Sequence, residues 1–154
     1  MLVEGHTAPS LELLDDQNRM VRLKDFHGRT VVLYFYPRAD TPGCTTESCN
    51  FRDSLHNFRK LKVTVLGISP DTPADQAKFK KKFNLTFPLL CDTDRKIAET
   101  YGVLKEKNMY GKMVMGIERT TFIIGPYGKI AKIFPKVRVE GHIEEVLSAL
   151  KASR

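Results

Sequence analysis

The chain has 154 residues, and none of its apolar runs approaches the roughly 20 residues that a membrane-spanning helix requires. A helical span is therefore not expected. Cysteine is scarce, three in all, and that odd, modest count suits a reducing cytoplasm better than a secreted disulfide scaffold. The opening residues Met1-Leu2-Val3-Glu4-Gly5-His6-Thr7-Ala8-Pro9 lack a basic region followed by an apolar stretch, so no secretion signal is expected. C-x-x-C, G-x-G-x-x-G and the P-loop are all missing, and His6, His27, His56 and His142 show no metal-ligand spacing. Neither a metal nor an organic cofactor is expected. With no Ser/Gly-rich linker, repeat or low-complexity tract to divide it, residues 1–154 should form a single domain.

What the chain does have is positive charge, +7 in formal count. A basic surface binds nucleic acid by releasing counterions from phosphates. The densest cluster, Lys78, Lys80, Lys81 and Lys82, alternates with Ala77, Phe79 and Phe83 in an amphipathic pattern after Pro73. It reads as the solvated face of a helix. No helix-turn-helix, zinc finger or aromatic RNA-binding signature accompanies it, so neither nucleic acid nor membrane is expected as a partner.

Periodicity supplies the elements. Leu11 to Leu14 and Met20 to Leu23 flank Asp15-Asp16-Gln17-Asn18 as an N-terminal β-hairpin. Thr30 to Tyr36 is a nearly continuous apolar and β-branched run, as expected of a central strand buried on both faces, and Pro37 ends it. A helix follows to about Leu61, then a buried strand over Val63 to Ile68 and a helix from about Pro73 to Phe83. Phe87 to Leu90 makes a short strand, and Asp94 to Tyr101 a short helix stopped at Gly102. Leu104 to Glu118 reads as a long loop whose Met109, Met113 and Met115 serve in packing. Arg119 to Ile124 and Lys129 to Phe134 form a hairpin around Gly125-Pro126-Tyr127-Gly128, and Ile143, Val146, Leu147 and Leu150 mark a closing helix. Strands alternating with helices specify an α/β sandwich with a mixed sheet flanked by helices.

The chemistry concentrates where the central strand gives way to a helix, the usual address of a site in open α/β sheets. Thr41 suits the N-cap and Pro42 the first helical position, which puts Cys44 in the first turn. Unpaired N–H groups and the positive end of the helix dipole favour an anionic sulfur there, and the thiolate is the nucleophilic form of cysteine. Phe51, Leu55 and Phe58 trace the apolar stripe of this helix. At 100° per residue Cys44 lies about 20° from Phe51 and faces inward, whereas Cys49 lies about 160° away and faces water. Five residues apart on an intact helix, the two Cα atoms are roughly 8.6 Å apart, beyond the ~7 Å limit for a disulfide. Any bond between them would require the first turns to unwind. Glu47 is expected to favour the helix N-terminus, with pairing to a cation as the alternative. Arg119 stands as either a strand-edge ion-pair partner or a site residue, and Cys91 reads as a small buried side chain.

The motif Pro37-x-x-x-Thr41-x-x-Cys44, extended through Glu47 to Cys49, resembles the peroxidatic motif of the peroxiredoxins, in particular the bacterioferritin comigratory protein or peroxiredoxin Q subfamily. Phe87-Pro88-Leu89-Leu90-Cys91-Asp92, Met109-Tyr110-Gly111-Lys112 and Arg119-Thr120-Thr121-Phe122-Ile123-Ile124 match in the same order. The resemblance implies a thioredoxin-like fold and thiol-dependent reduction of hydrogen peroxide and organic hydroperoxides. It implies Cys44 as peroxidatic cysteine, Cys49 as resolving cysteine bonded to Cys44 after oxidation, Thr41 and Arg119 as thiolate and peroxide ligands, and Pro37 as a shield of the pocket. A thioredoxin-like reductant, a cytoplasmic location and a monomer are expected. The rival readings are a thiol:disulfide oxidoreductase, which should carry C-x-x-C, and a non-enzymatic binding protein using the basic surface.

Overall fold

The computed structural model describes residues 2–153. After a two-stranded antiparallel hairpin, β1 (Glu12–Leu14) and β2 (Met20–Arg22), a 3-10 turn at Leu23–Phe26 leads into the main sheet. That sheet contains β3 (Thr30–Phe35), β4 (Val63–Ser69), β5 (Leu89–Cys91), β8 (Thr120–Ile124) and β9 (Ile130–Phe134), in the order β5-β4-β3-β8-β9. β3, β4 and β5 run parallel, whereas β8 lies antiparallel to both β3 and β9. The helices are α1 (Pro42–Asp53), α2 (Leu55–Lys60), α3 (Pro73–Phe83), α4 (Lys96–Thr100) and α5 (His142–Ala152). This is the mixed, helix-flanked α/β architecture expected from the sequence.

Alternation along β3 divides the interior in two. Val32, Tyr34 and Tyr36 point to a core completed by Cys44, Phe51 and Phe58 from α1 and α2, Phe79 from α3 and Val146 from α5. Val31, Leu33 and Phe35 point to a second core with Leu11, Ala98, Tyr101, Ile117 and Phe122. Both faces are covered, which explains why β3 reads as continuously apolar instead of alternating. The first core is aromatic, with Tyr34 stacked on Phe51 at a centroid separation of 4.4 Å. Buried hydroxyls find partners: Tyr34 Oη lies 2.8 Å from Ser48 Oγ, and the Tyr36 hydroxyl donates to Gln76 Oε1 at 2.6 Å.

Four expectations need correction. The segment from Leu104 to Glu118 is not a loop: β6 (Leu104–Met109) and β7 (Lys112–Ile117) form an antiparallel ribbon turning at Tyr110 and Gly111. Only its root packs, through Leu104 and Ile117, and the remainder is largely solvated on both faces, so no two-residue hydrophobic period marks it. Met109, Met113 and Met115 are exposed and do not serve in packing. The helix expected to run to Leu61 is interrupted at Ser54, whose N–H bonds back to Asn50 while α2 starts anew at Leu55. Lys80 is not merely solvated, because it meets the buried carboxylate of Asp16 at 2.9 Å.

Gly67 on β4 lies between Tyr34 of β3 and Leu89 of β5, and a Cβ there would sit 2.9 Å from the Tyr34 ring and 3.0 Å from Leu89 Cδ2. Gly67→Ala should therefore overpack the first core and lower the unfolding free energy by about 1–3 kcal/mol. A urea unfolding midpoint matching that of the wild type would contradict this close packing.

Candidate active site

Between β3 and α1, residues 36–41 carry the chain around the end of the sheet. Asp71, in the connection from β4 to α3, holds this segment: its Oδ2 accepts from the Ala39 N–H at 2.7 Å and from Ser69 Oγ at 2.7 Å. Gln76 extends the network, donating through Nε2 to Ser69 Oγ at 2.7 Å and to the Leu90 carbonyl at 3.0 Å, while accepting from Tyr36. Asp40 sits in the left-handed region (φ 60°), tolerable for an Asp, and turns the chain into the helix. Thr41 then has the extended backbone of an N-cap and Pro42 occupies the first turn. The first intrahelical bond runs from Thr45 N–H to the Thr41 carbonyl at 2.8 Å. The Gly43 and Cys44 amides precede that bond and have no partner within the helix.

Cys44 is 1% exposed and belongs to the aromatic core, whereas Cys49 on the same helix is half-buried. Neither sulfur is disulfide-bonded, and both reside in unbroken α1. Arg119, immediately before β8, reaches back over 75 positions to donate from one terminal nitrogen to Cys44 Sγ at 3.4 Å. From the other it donates to Glu47 Oε1 at 2.6 Å. One planar guanidinium thus bridges thiol and carboxylate, a geometry that a lysine could not provide. Gly43 permits the approach, since a Cβ there would stand 3.2 Å from the Arg119 nitrogen.

Glu47 is 1% exposed and pairs with Arg119; the expectation that it merely favours the helix N-terminus is overturned. Its Oε2 is buried without a hydrogen-bond partner among the described residues. Burial pushes the Glu47 carboxyl up to about 7, against the opposing charge and hydrogen bond of Arg119. The Thr41 hydroxyl also departs from expectation. It neither caps α1 nor bonds to Cys44, but donates to the Arg38 carbonyl at 2.8 Å. Pro37 is half-buried at the exit of β3.

Cys91, at the end of β5, is remote in character. Burial pushes its thiol up to about 12, and the carboxylates of Asp16, Asp15 and Asp71 add to the rise. His142 is engaged on both ring nitrogens, 2.8 Å from Thr121 Oγ1 and 2.6 Å from Glu145 Oε1, and fastens α5 to β8. The residue that sequence reasoning passed over is Lys107, because it lay in the supposed loop; Arg119 and Cys44 both act on its charge.

Comparison with known proteins agrees with this geometry. Residues 4–133 match the model of the AhpC/TSA family. The chain is 48% identical over 147 residues to Peroxiredoxin Bcp of Bacillus subtilis, covering 96% of this chain and 94% of that protein. A mutant of Xylella fastidiosa PrxQ has a crystal structure that aligns with a TM-score of 0.94 at 39% identity, over 99% of this chain and 98% of that one. The bacterioferritin comigratory protein of Xanthomonas campestris, studied for alkyl peroxide reduction, aligns with a TM-score of 0.89 at 41% identity, over 93% of this chain and 91% of that one. The chain belongs to the AhpC/TSA family and has its thioredoxin-like fold. Within that family it is a peroxiredoxin, a thiol peroxidase similar to Bcp and PrxQ.

The raised Glu47 carboxyl gives a pH signature. A group that binds its proton more tightly in the folded than in the unfolded chain favours folding most at low pH, and that contribution is lost as pH rises through the folded value. The unfolding free energy of the wild type minus that of Glu47→Gln should fall by roughly 2–3 kcal/mol between pH about 4.5 and about 7. Urea titrations of both proteins at several pH values would measure it, and a flat difference would contradict the assignment.

Proposed function

We propose that Cys44 is the peroxidatic cysteine and that the enzyme reduces hydrogen peroxide and organic hydroperoxides. The observation that carries this reading is the Arg119 guanidinium, which touches the buried Cys44 sulfur and is held in place by Glu47. Peroxide reduction is an in-line displacement on oxygen: the thiolate attacks one oxygen, the O–O bond breaks, and the electron pair leaves with the distal oxygen, which takes up a proton to give water or an alcohol. Arg119 has donors to spare for that leaving oxygen as its charge develops. The Gly43 and Cys44 amides and the helix dipole favour the anionic sulfur on the other side. Thr41, whose hydroxyl bonds to Arg38 in the resting site, lies beside the helix mouth and is proposed as a further ligand to peroxide, with Pro37 shielding the approach.

Cys44 becomes a sulfenic acid, which a neighbouring thiol condenses to a disulfide with release of water. Cys49 is proposed as that thiol. On the intact helix the two Cα atoms are roughly 8.6 Å apart, so the bond forms only after the first turns of α1 open. Cys91, with its thiol pushed up to about 12, is poorly suited to resolve the sulfenic acid. An external thioredoxin-like dithiol would then exchange with the Cys44–Cys49 disulfide and restore both thiols. We place this cycle in one domain acting as a monomer in the cytoplasm, where such reductants keep thiols reduced. No cofactor takes part.

Cys44→Ser should consume no peroxide, and appreciable turnover by it would overturn the assignment of the nucleophile. Cys49→Ser should undergo one rapid oxidation and then fail to cycle with thioredoxin. Peptide mass spectrometry after one equivalent of peroxide would show the Cys44–Cys49 link in the wild type, and a Cys44–Cys91 link instead would overturn the pairing.

A further inference from the structure

The ribbon carries a charged side chain that the reaction scheme above does not use. Lys107 of β6 lies opposite Val114 and diagonal to Gly116 of β7. Its stem runs across Gly116, where a Cβ would sit 2.9 Å from Cδ and 3.3 Å from Cε. Only a residue without a side chain lets the stem lie down there. The ammonium then donates to the carbonyl of Ile117, two residues before Arg119.

The charges around this ammonium are those of the site. Burial lowers its pKa and the Arg119 charge adds to that effect, while Cys44 and Glu118 oppose it; Glu47 stands behind Arg119. An ammonium kept in a half-buried position beside a guanidinium is unfavourable unless its hydrogen bond has a use. Hydrogen bonds from charged donors are among the stronger ones in proteins. This one secures the backbone that delivers Arg119. The Ile117 carbonyl is held by Lys107, the Glu118 N–H by the Val103 carbonyl at 2.8 Å, and the Arg119 carbonyl by the Val137 N–H at 2.9 Å. Without Lys107, the first of these three ties is lost where a two-stranded ribbon, marginal by itself, joins the sheet.

We propose that Lys107 is a positioning residue for peroxide reduction: by tying down the Ile117 carbonyl across Gly116, it aims the Arg119 guanidinium at the Cys44 sulfur and at the departing peroxide oxygen. This rests on the assignment of Cys44 as the peroxide-reacting group. Lys107 itself contacts neither reactant.

The test compares two reactions of Cys44 in the reduced full-length protein: oxidation by hydrogen peroxide and alkylation by iodoacetamide. Both use the same sulfur, but only peroxide cleavage calls on Arg119 at the leaving oxygen. Lys107→Met, which keeps the straight apolar stem, should slow oxidation about tenfold and leave alkylation within about twofold of the wild type. Lys107→Arg should recover most of the lost rate. An undiminished oxidation rate in Lys107→Met, equal slowing of both reactions, or no recovery in Lys107→Arg would each overturn the proposal. If Lys107→Met fails to fold, Gly116→Ala crowds the same stem without removing the charge and carries the same expectation. Peroxide consumption by Cys44→Ser would sink the underlying assignment, whereas an inert Cys44→Ser beside an unimpaired Lys107→Met sinks the positioning role alone.

Discussion

The Arg119 guanidinium is held between Glu47 Oε1 at 2.6 Å and Cys44 Sγ at 3.4 Å, and the rest of the molecule is arranged so that this contact can exist. Its partners lie on α1, and the arginine itself precedes a strand more than seventy residues later. Pairing of β8 antiparallel to β3 brings the start of β8 to the end of β3, because Thr120 lies opposite Phe35. The same sheet end receives the loop into α1. A buried ion pair is weak evidence for stability, since desolvation offsets much of its Coulombic gain. Glu47 illustrates the cost, with one carboxylate oxygen unpartnered and the carboxyl pushed up by burial. What the pair supplies is direction: a guanidinium with no freedom to turn from the sulfur.

That direction would be of little use on a mobile loop. The buried network from Tyr36 through Gln76 and Ser69 to Asp71 joins β3, β4 and α3, and its last bond takes the Ala39 N–H at 2.7 Å. Active-site precision thus derives from polar groups lying within or at the edge of an aromatic core. Fully satisfied buried networks rigidify their surroundings, and this one fixes the segment that aims α1.

Much of this was legible in the sequence, for identifiable reasons. β3 announced itself by a run of apolar and β-branched residues that only a doubly covered strand requires, and the Thr41-Pro42 start placed Cys44 correctly in the first turn. Phe51, Leu55 and Phe58 predicted which sulfur would be buried. The ribbon escaped because its residues beyond Leu104 and Ile117 face solvent on both sides, so cross-strand pairing alone defines it. Lys107 was lost with it. The break at Ser54 escaped because Phe51, Leu55 and Phe58 keep an almost helical spacing across it. The Glu47–Arg119 pair and the hydroxyl bond of Thr41 to Arg38 are tertiary and loop geometry, to which spacing along one chain is blind.

The residues of α1 have a consequence of their own. Its first nine positions, Pro42-Gly43-Cys44-Thr45-Thr46-Glu47-Ser48-Cys49-Asn50, include a single strong helix former, the glutamate, among glycine, β-branched and small polar side chains that favour other conformations. An isolated peptide of this composition would stay a coil. Its coiling in the protein is imposed from outside, by Phe51 seated against Tyr34, by Ser48 beside the Tyr34 hydroxyl and by the arginine clasp. Weak intrinsic winding makes the segment a spring set near its release point. Whatever loosens the clasp frees the backbone to rearrange at small energetic expense, while the sheet beneath it keeps its shape.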